Sequence, residues 1–113
     1  MDNFSRIQAG GYVIEKVNLK NATVNEAMEF KKLLETDISL GYNTIIIDLS
    51  ACDALDPAFF GVIVVTLKQL MRGGGTIKVV KAGLFSESGL TINERLAIFE
   101  LYDSLDEAID SIN

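Results

Sequence analysis

The stretch TIIIDLSACDALDPAFFGVIVVTLKQLMRGGGTIKVV, Thr44 to Val80, decides the fold. Three consecutive isoleucines close on Asp48, the pattern of a strand covered on both faces by helices. Such a strand belongs at the centre of a sheet. A helix is expected from about Pro57 to Arg72. Asp56 suits the N-cap, where a carboxylate accepts from free backbone N–H groups, and Pro57 suits the first turn, where a missing N–H does no harm. Gly73-Gly74-Gly75 then ends the helix. The run follows a helix and lacks the downstream Lys-Ser/Thr of a phosphate loop, so it reads as a C-cap and turn. TIKVV, from Thr76, is the next strand.

Working outward, Arg6 to Val17 reads as one or two short strands around Gly10-Gly11, with YVIEKV alternating apolar and polar. This is an edge hairpin. Thr23 stands three before Glu26, the spacing of a capping box, and Ala27, Phe30, Leu34 and Ile38 recur at helical intervals until Gly41. Beyond the central unit, the Thr91–Glu94 spacing starts a short helix reaching Leu96. A strand at about Ile98 to Leu101 and a last helix from Ser104 to Ile112, with Glu107 three after Ser104, complete the chain. Helices alternating with buried strands predict one α/β domain over residues 1–113 with a mostly parallel or mixed sheet.

Composition removes whole classes of function. At 49% hydrophobic, 113 residues suffice to bury a core without disulfides or metals. Ten basic against sixteen acidic residues leave a net charge of -6, which repels phosphate backbones and anionic lipid surfaces. Nucleic acid is not an expected partner. There is no histidine, hence no imidazole base for a Ser or Cys nucleophile and no histidine ligand to join the lone thiol at a zinc site. No apolar run approaches the ~20 residues that span a bilayer. With one cysteine and no cationic leader before the fold, a cytoplasmic location is expected.

The central stretch, followed by AIFELYDSLDEAI, resembles a STAS domain, the family of anti-sigma factor antagonists and of the cytoplasmic tails of sulfate transporters. The resemblance rests on the hydrophobic strand ending in Asp-Leu-Ser, Asp56 with Gly61 five residues on, the basic-then-glycine helix end, and the Tyr-Asp-Ser-Leu-Asp-Glu-Ala tail. It spans roughly Phe4 to Ile112. It implies a single mixed sheet with about four helices, mainly on one face, and a role in bacterial signalling or transcription regulation through protein–protein contact. It also implies no catalysis and no cofactor. Antagonists of this family carry Asp-Ser-Ser-Gly or Asp-Ser-Thr-Gly at the start of the second helix, and a kinase phosphorylates the second hydroxyl. Here Pro57 and Ala58 stand at those positions and Phe59 stands at the glycine. Neither Pro57 nor Ala58 can accept phosphate, so the usual charge switch is absent at that place.

The acids at the helix mouth admit two readings. Asp56 as a cap, with Asp48 and Asp53 in a polar loop, is one. The other is a magnesium-dependent phospho-aspartate receiver, which needs an acidic pair after the first strand; NLKNAT offers none, and Lys81 after a late strand is weak support. A small-ligand module binding nucleotide or lipid is a further alternative. Cys52, between Ala51 and Asp53, has acidic neighbours that disfavour thiolate, and it is assigned no role. On the second helix, Phe60, Ile63, Val64, Leu67, Leu70 and Met71 form the expected buried stripe. That leaves Phe59, Val62 and Val65 outside it, either covered by neighbouring helices or forming an exposed apolar patch. The resemblance favours the patch. The expected partner-binding set is therefore Asp53, Asp56, Pro57, Ala58, Phe59 and Val62, with an anti-sigma factor, a kinase-like or other signalling protein, or a second copy of the chain as partner. No catalytic residue, metal ligand or cofactor is assigned.

Overall fold

The structure, a computed structural model, describes residues 2–82 and 93–112. β1 (Phe4–Ala9) and β2 (Tyr12–Val17) form the antiparallel hairpin, with Gly11 at φ +91 supplying the left-handed turn residue that L side chains avoid. A two-residue strand β3 (Asn21–Ala22) leads into α1 (Val24–Ser39). β4 (Thr44–Asp48), a second short strand β5 (Ala54–Leu55), α2 (Pro57–Arg72) and β6 (Thr76–Val80) follow. After a helical turn over residues 93–96 come β7 (Glu100–Tyr102) and α3 (Leu105–Asp110). The expected cap Thr91 lies outside the described residues.

Strand order in the main sheet is β1-β2-β4-β6-β7, so the isoleucine strand is central and the hairpin lies at an edge, as its residue pattern dictates. All pairs beyond the hairpin are parallel. Ile45 and Ile47 face one layer, where Phe30 and Leu34 of α1 and Ile63 and Leu70 of α2 pack with Leu96. Ile46 faces the other, with Ile14, Val80 and Ala108 of α3. The larger helices therefore share one face and, among the described residues, only the short last helix covers the other, the mixed-sheet arrangement that the resemblance implied.

Local signals hold at the start of α1 and the end of α2. Thr23 accepts from Asn25 N while Glu26 accepts from Thr23 N, a complete capping box. Gly74 sits at φ +81, and a Cβ on Gly75 would lie 2.4 Å from Asn43 O, so this glycine lets the turn pass against the backbone before β4. One element shifts. The strand expected at Ile98 to Leu101 begins at Glu100, because Phe99 N closes a turn on Leu96 O at 2.9 Å and the Phe99 ring packs edge-on against Phe60.

An ionic cluster under α1 was not foreseen. YVIEKV does not alternate in burial: Val13, Glu15 and Val17 all point into the layer beneath α1, and Glu15 is fully buried. Arg6, its cross-strand partner, holds Nε 3.5 Å from Glu15 Oε2 and donates from Nη2 to Asp37 Oδ1, on a fully buried aspartate near the end of α1. Two fully buried acids share one partly buried cation. Burial foremost, then the neighbouring Asp37 carboxylate, raises the Glu15 carboxyl to about 9, against a smaller opposing pull from Arg6. Two buried acids facing one guanidinium thus favour the neutral form of Glu15.

Candidate functional site

The mouth of α2 is built by two distant pieces of chain. Asp48 ends β4, and its Oδ1 accepts from Ser50 N at 2.9 Å, turning the chain back. β5 then pairs in parallel with β3, with Asp53 N donating to Lys20 O at 2.7 Å and Asp56 N to Ala22 O at 2.8 Å. The loop before α2 is thus clamped to the segment before α1. Asp56 has the extended backbone of an N-cap, and its carbonyl accepts from Phe60 N, the first helical bond. Its carboxylate does something other than cap its own helix: Oδ2 accepts from Val24 N, 3.1 Å away in the first turn of α1. The cap expectation is corrected on that point. Asp56 cross-links the starts of the two helices.

The remaining candidates divide by exposure. Pro57 and Ala58 are exposed, while Asp53 and Val62 are half-buried. Phe59 is 0% exposed and stacks on Phe30 at 4.6 Å between ring centroids, with Phe4 beyond. The expected exposed ring is a core residue. The buried line of α2 is Phe59, Ile63, Thr66 and Leu70, one residue out of phase with the expected stripe, and Met71 is exposed. Thr66 can be buried because its hydroxyl donates to Val62 O at 2.7 Å, which satisfies the polar atom inside the helix. Phe60, Val64 and Leu67 are partly buried against the same core. The opposite flank, Ala58, Gly61, Val62, Val65 and Gln69, faces Lys31 and Glu35 of α1 across a groove of about 270 Å³.

The three acids do not converge. Asp48 serves its turn, Asp56 holds Val24, and Asp53 stands 3.9 Å from the exposed Lys20 ammonium. Lys81 pairs with Asp103 at 2.7 Å rather than with any of them. Among the described residues, no three carboxylate or thiol groups gather as metal ligands would. Cys52 is buried, and its thiol is pushed up to about 12, chiefly by burial and then by Asp48 and Asp53. The acidic neighbours inferred from sequence are the smaller cause.

Comparison with known proteins accords with this geometry. No family model matches the chain. A Thermotoga neapolitana protein named as a candidate anti-sigma factor antagonist is 31% identical over 94 residues, which cover 82% of this chain and 83% of that one. The chain belongs to the anti-sigma factor antagonist family. The crystal structure of a candidate antagonist from Thermotoga maritima superposes on this STAS fold with a TM-score of 0.80 at 29% identity, covering 96% of this chain and 92% of that one. The antagonist SpoIIAA in its unphosphorylated form superposes with a TM-score of 0.78, covering 96% of each chain. At 16% identity that match speaks for the fold alone. Among the described residues of this antagonist-type domain, no helix is long and apolar enough to cross a membrane.

Proposed function

We propose that this STAS-type regulatory protein is a non-catalytic protein-binding module whose partner surface centres on the start of α2 and the loop before it, and that phosphate does not switch it there. The observation that carries the reading is that Pro57 and Ala58, neither with a hydroxyl, are the exposed residues at the clamped helix mouth. The β3–β5 pairing and the Asp56 tether support it further. They hold the mouth in one geometry before any partner arrives, which lowers the ordering cost of association. The SpoIIAA neighbour is known in unphosphorylated and phosphorylated forms. In this chain the contact is constitutive. The partner is an anti-sigma factor of the kinase type or a related signalling protein.

The test pairs the chain with anti-sigma factors of its own genome. Titration calorimetry should show binding that Ala58→Asp weakens without lowering the melting temperature, because Ala58 is exposed. Intact mass after incubation with the same kinase and ATP should be unchanged. Phosphate mapped to Ser50, or binding indifferent to Ala58→Asp, would refute the reading.

A further inference from the structure

Among the described residues, none fills the groove between α1 and α2. Val65 lies within it and is 57% exposed, while Val24 and Met28 are 62% and 61% exposed two turns and one turn before Lys31 on α1. Gly61 lines the groove inside a helix, where glycine costs stability relative to alanine. Nothing among the described residues asks for it: its φ is not positive, and a Cβ there would meet none of their atoms within 4 Å. What a bare Cα does permit is close approach by another backbone.

Charge marks the other end. Val65 and Gln69 also line a continuing hollow with Lys68 and Arg72. Lys68 and Arg72 stand four apart on α2, a spacing at which like charges repel. Arg72 in the last turn complements the helix dipole, but Lys68 stands a turn earlier. Among the described residues neither forms an ion pair. In a chain of net charge -6, two unpaired cations beside an apolar groove complement an anion.

The geometry points to an amphipathic segment of a partner protein lying along this groove, its apolar side chains over Gly61, Val62 and Val65 and its acidic residues against Lys68 and Arg72. This deepens the protein-binding reading and rests on it. It extends the contact from the helix mouth along the whole outer flank of α2.

A phage-displayed library of random peptides, panned on the intact chain, tests it without knowledge of the natural partner. Enriched peptides should carry apolar residues three or four apart and Asp or Glu toward one end. Their synthetic forms should lose at least about tenfold in affinity to Val65→Asp, to Gly61→Leu and to the double change Lys68→Glu, Arg72→Glu. All four positions lie on the outer flank of α2, and melting curves confirm that each variant is folded. No enrichment, enrichment of basic peptides, or winners indifferent to these changes would overturn the inference. Winners lost on Ala58→Asp but kept on Val65→Asp would place the contact at the mouth alone, which sinks the groove and spares the proposed function. A wild-type dimer in size-exclusion chromatography that Val65→Asp returns to monomer would make the occupant a second copy, which also overturns it.

Discussion

Replacing Glu15 with glutamine should flatten the pH dependence of this protein's stability. In the folded chain the buried Glu15 carboxyl titrates near 9, whereas in the unfolded chain it titrates near its ordinary 4.5. Between those values the folded state holds a proton that the unfolded state has released. Unfolding therefore expels a proton, and raising the pH favours it. The contribution is complete below about 4.5 and is lost progressively as pH rises to about 9. The slope is close to 1.4 kcal/mol for each pH unit, so the wild type should lose on the order of 3 kcal/mol between about pH 6 and pH 8. That is a large share of the roughly 5–15 kcal/mol that holds a domain together. Glutamine matches the neutral carboxyl in shape and does not titrate, so the difference between the two proteins isolates Glu15 from other groups. Urea unfolding followed by far-UV circular dichroism at several pH values measures it. Parallel slopes for wild type and Glu15→Gln would show that Glu15 is ionised in the fold and would refute its neutral form.

The aromatic stack and the groove should respond oppositely to substitution: Phe59→Ala costs about 3–5 kcal/mol by opening a cavity, whereas Val65→Asp stays within roughly 0.5 kcal/mol, both by denaturant titration. Two glycines should diverge as well, since Gly75→Ala drives a methyl into Asn43 O and costs about 1–3 kcal/mol, while Gly61→Ala enters open space and stabilises by up to about 1 kcal/mol in thermal melts. Asp56→Ala frees Val24 N and should cost about 1 kcal/mol, whereas Asp56→Asn keeps an acceptor and most of that stability; equal losses would mean that the charge itself is needed. Cys52 should react with a disulfide reagent only as the chain unfolds, and labelling of the native protein at the rate of a free thiol would contradict its burial.

What residue order determined alone lies where neighbours in sequence are neighbours in space. Thr23 and Glu26 form their capping box within one turn, Gly74 answers a local demand for positive φ, and three β-branched isoleucines in succession suit a strand covered on both sides. The stretch that carries the proposed partner surface was legible for the same reason, since Asp53, Asp56, Pro57, Ala58 and Val62 lie between a strand end and the first turns of a helix. The tertiary structure decided everything that joins residues far apart. α2 is apolar nearly all round, so periodicity could not say whether Phe59 or Phe60 faces the sheet; stacking on Phe30 from α1 settles it. Asp56 finds Val24 across 32 residues, and two-residue strands such as β3 and β5 carry no pattern of their own. Arg6 meets Asp37 across 31 residues, and only that meeting tells a buried Glu15 from the solvent-facing glutamate that alternation implied. An isolated carboxylate reads as surface because desolvation forbids its burial, and the partners that lift the prohibition are brought by the fold.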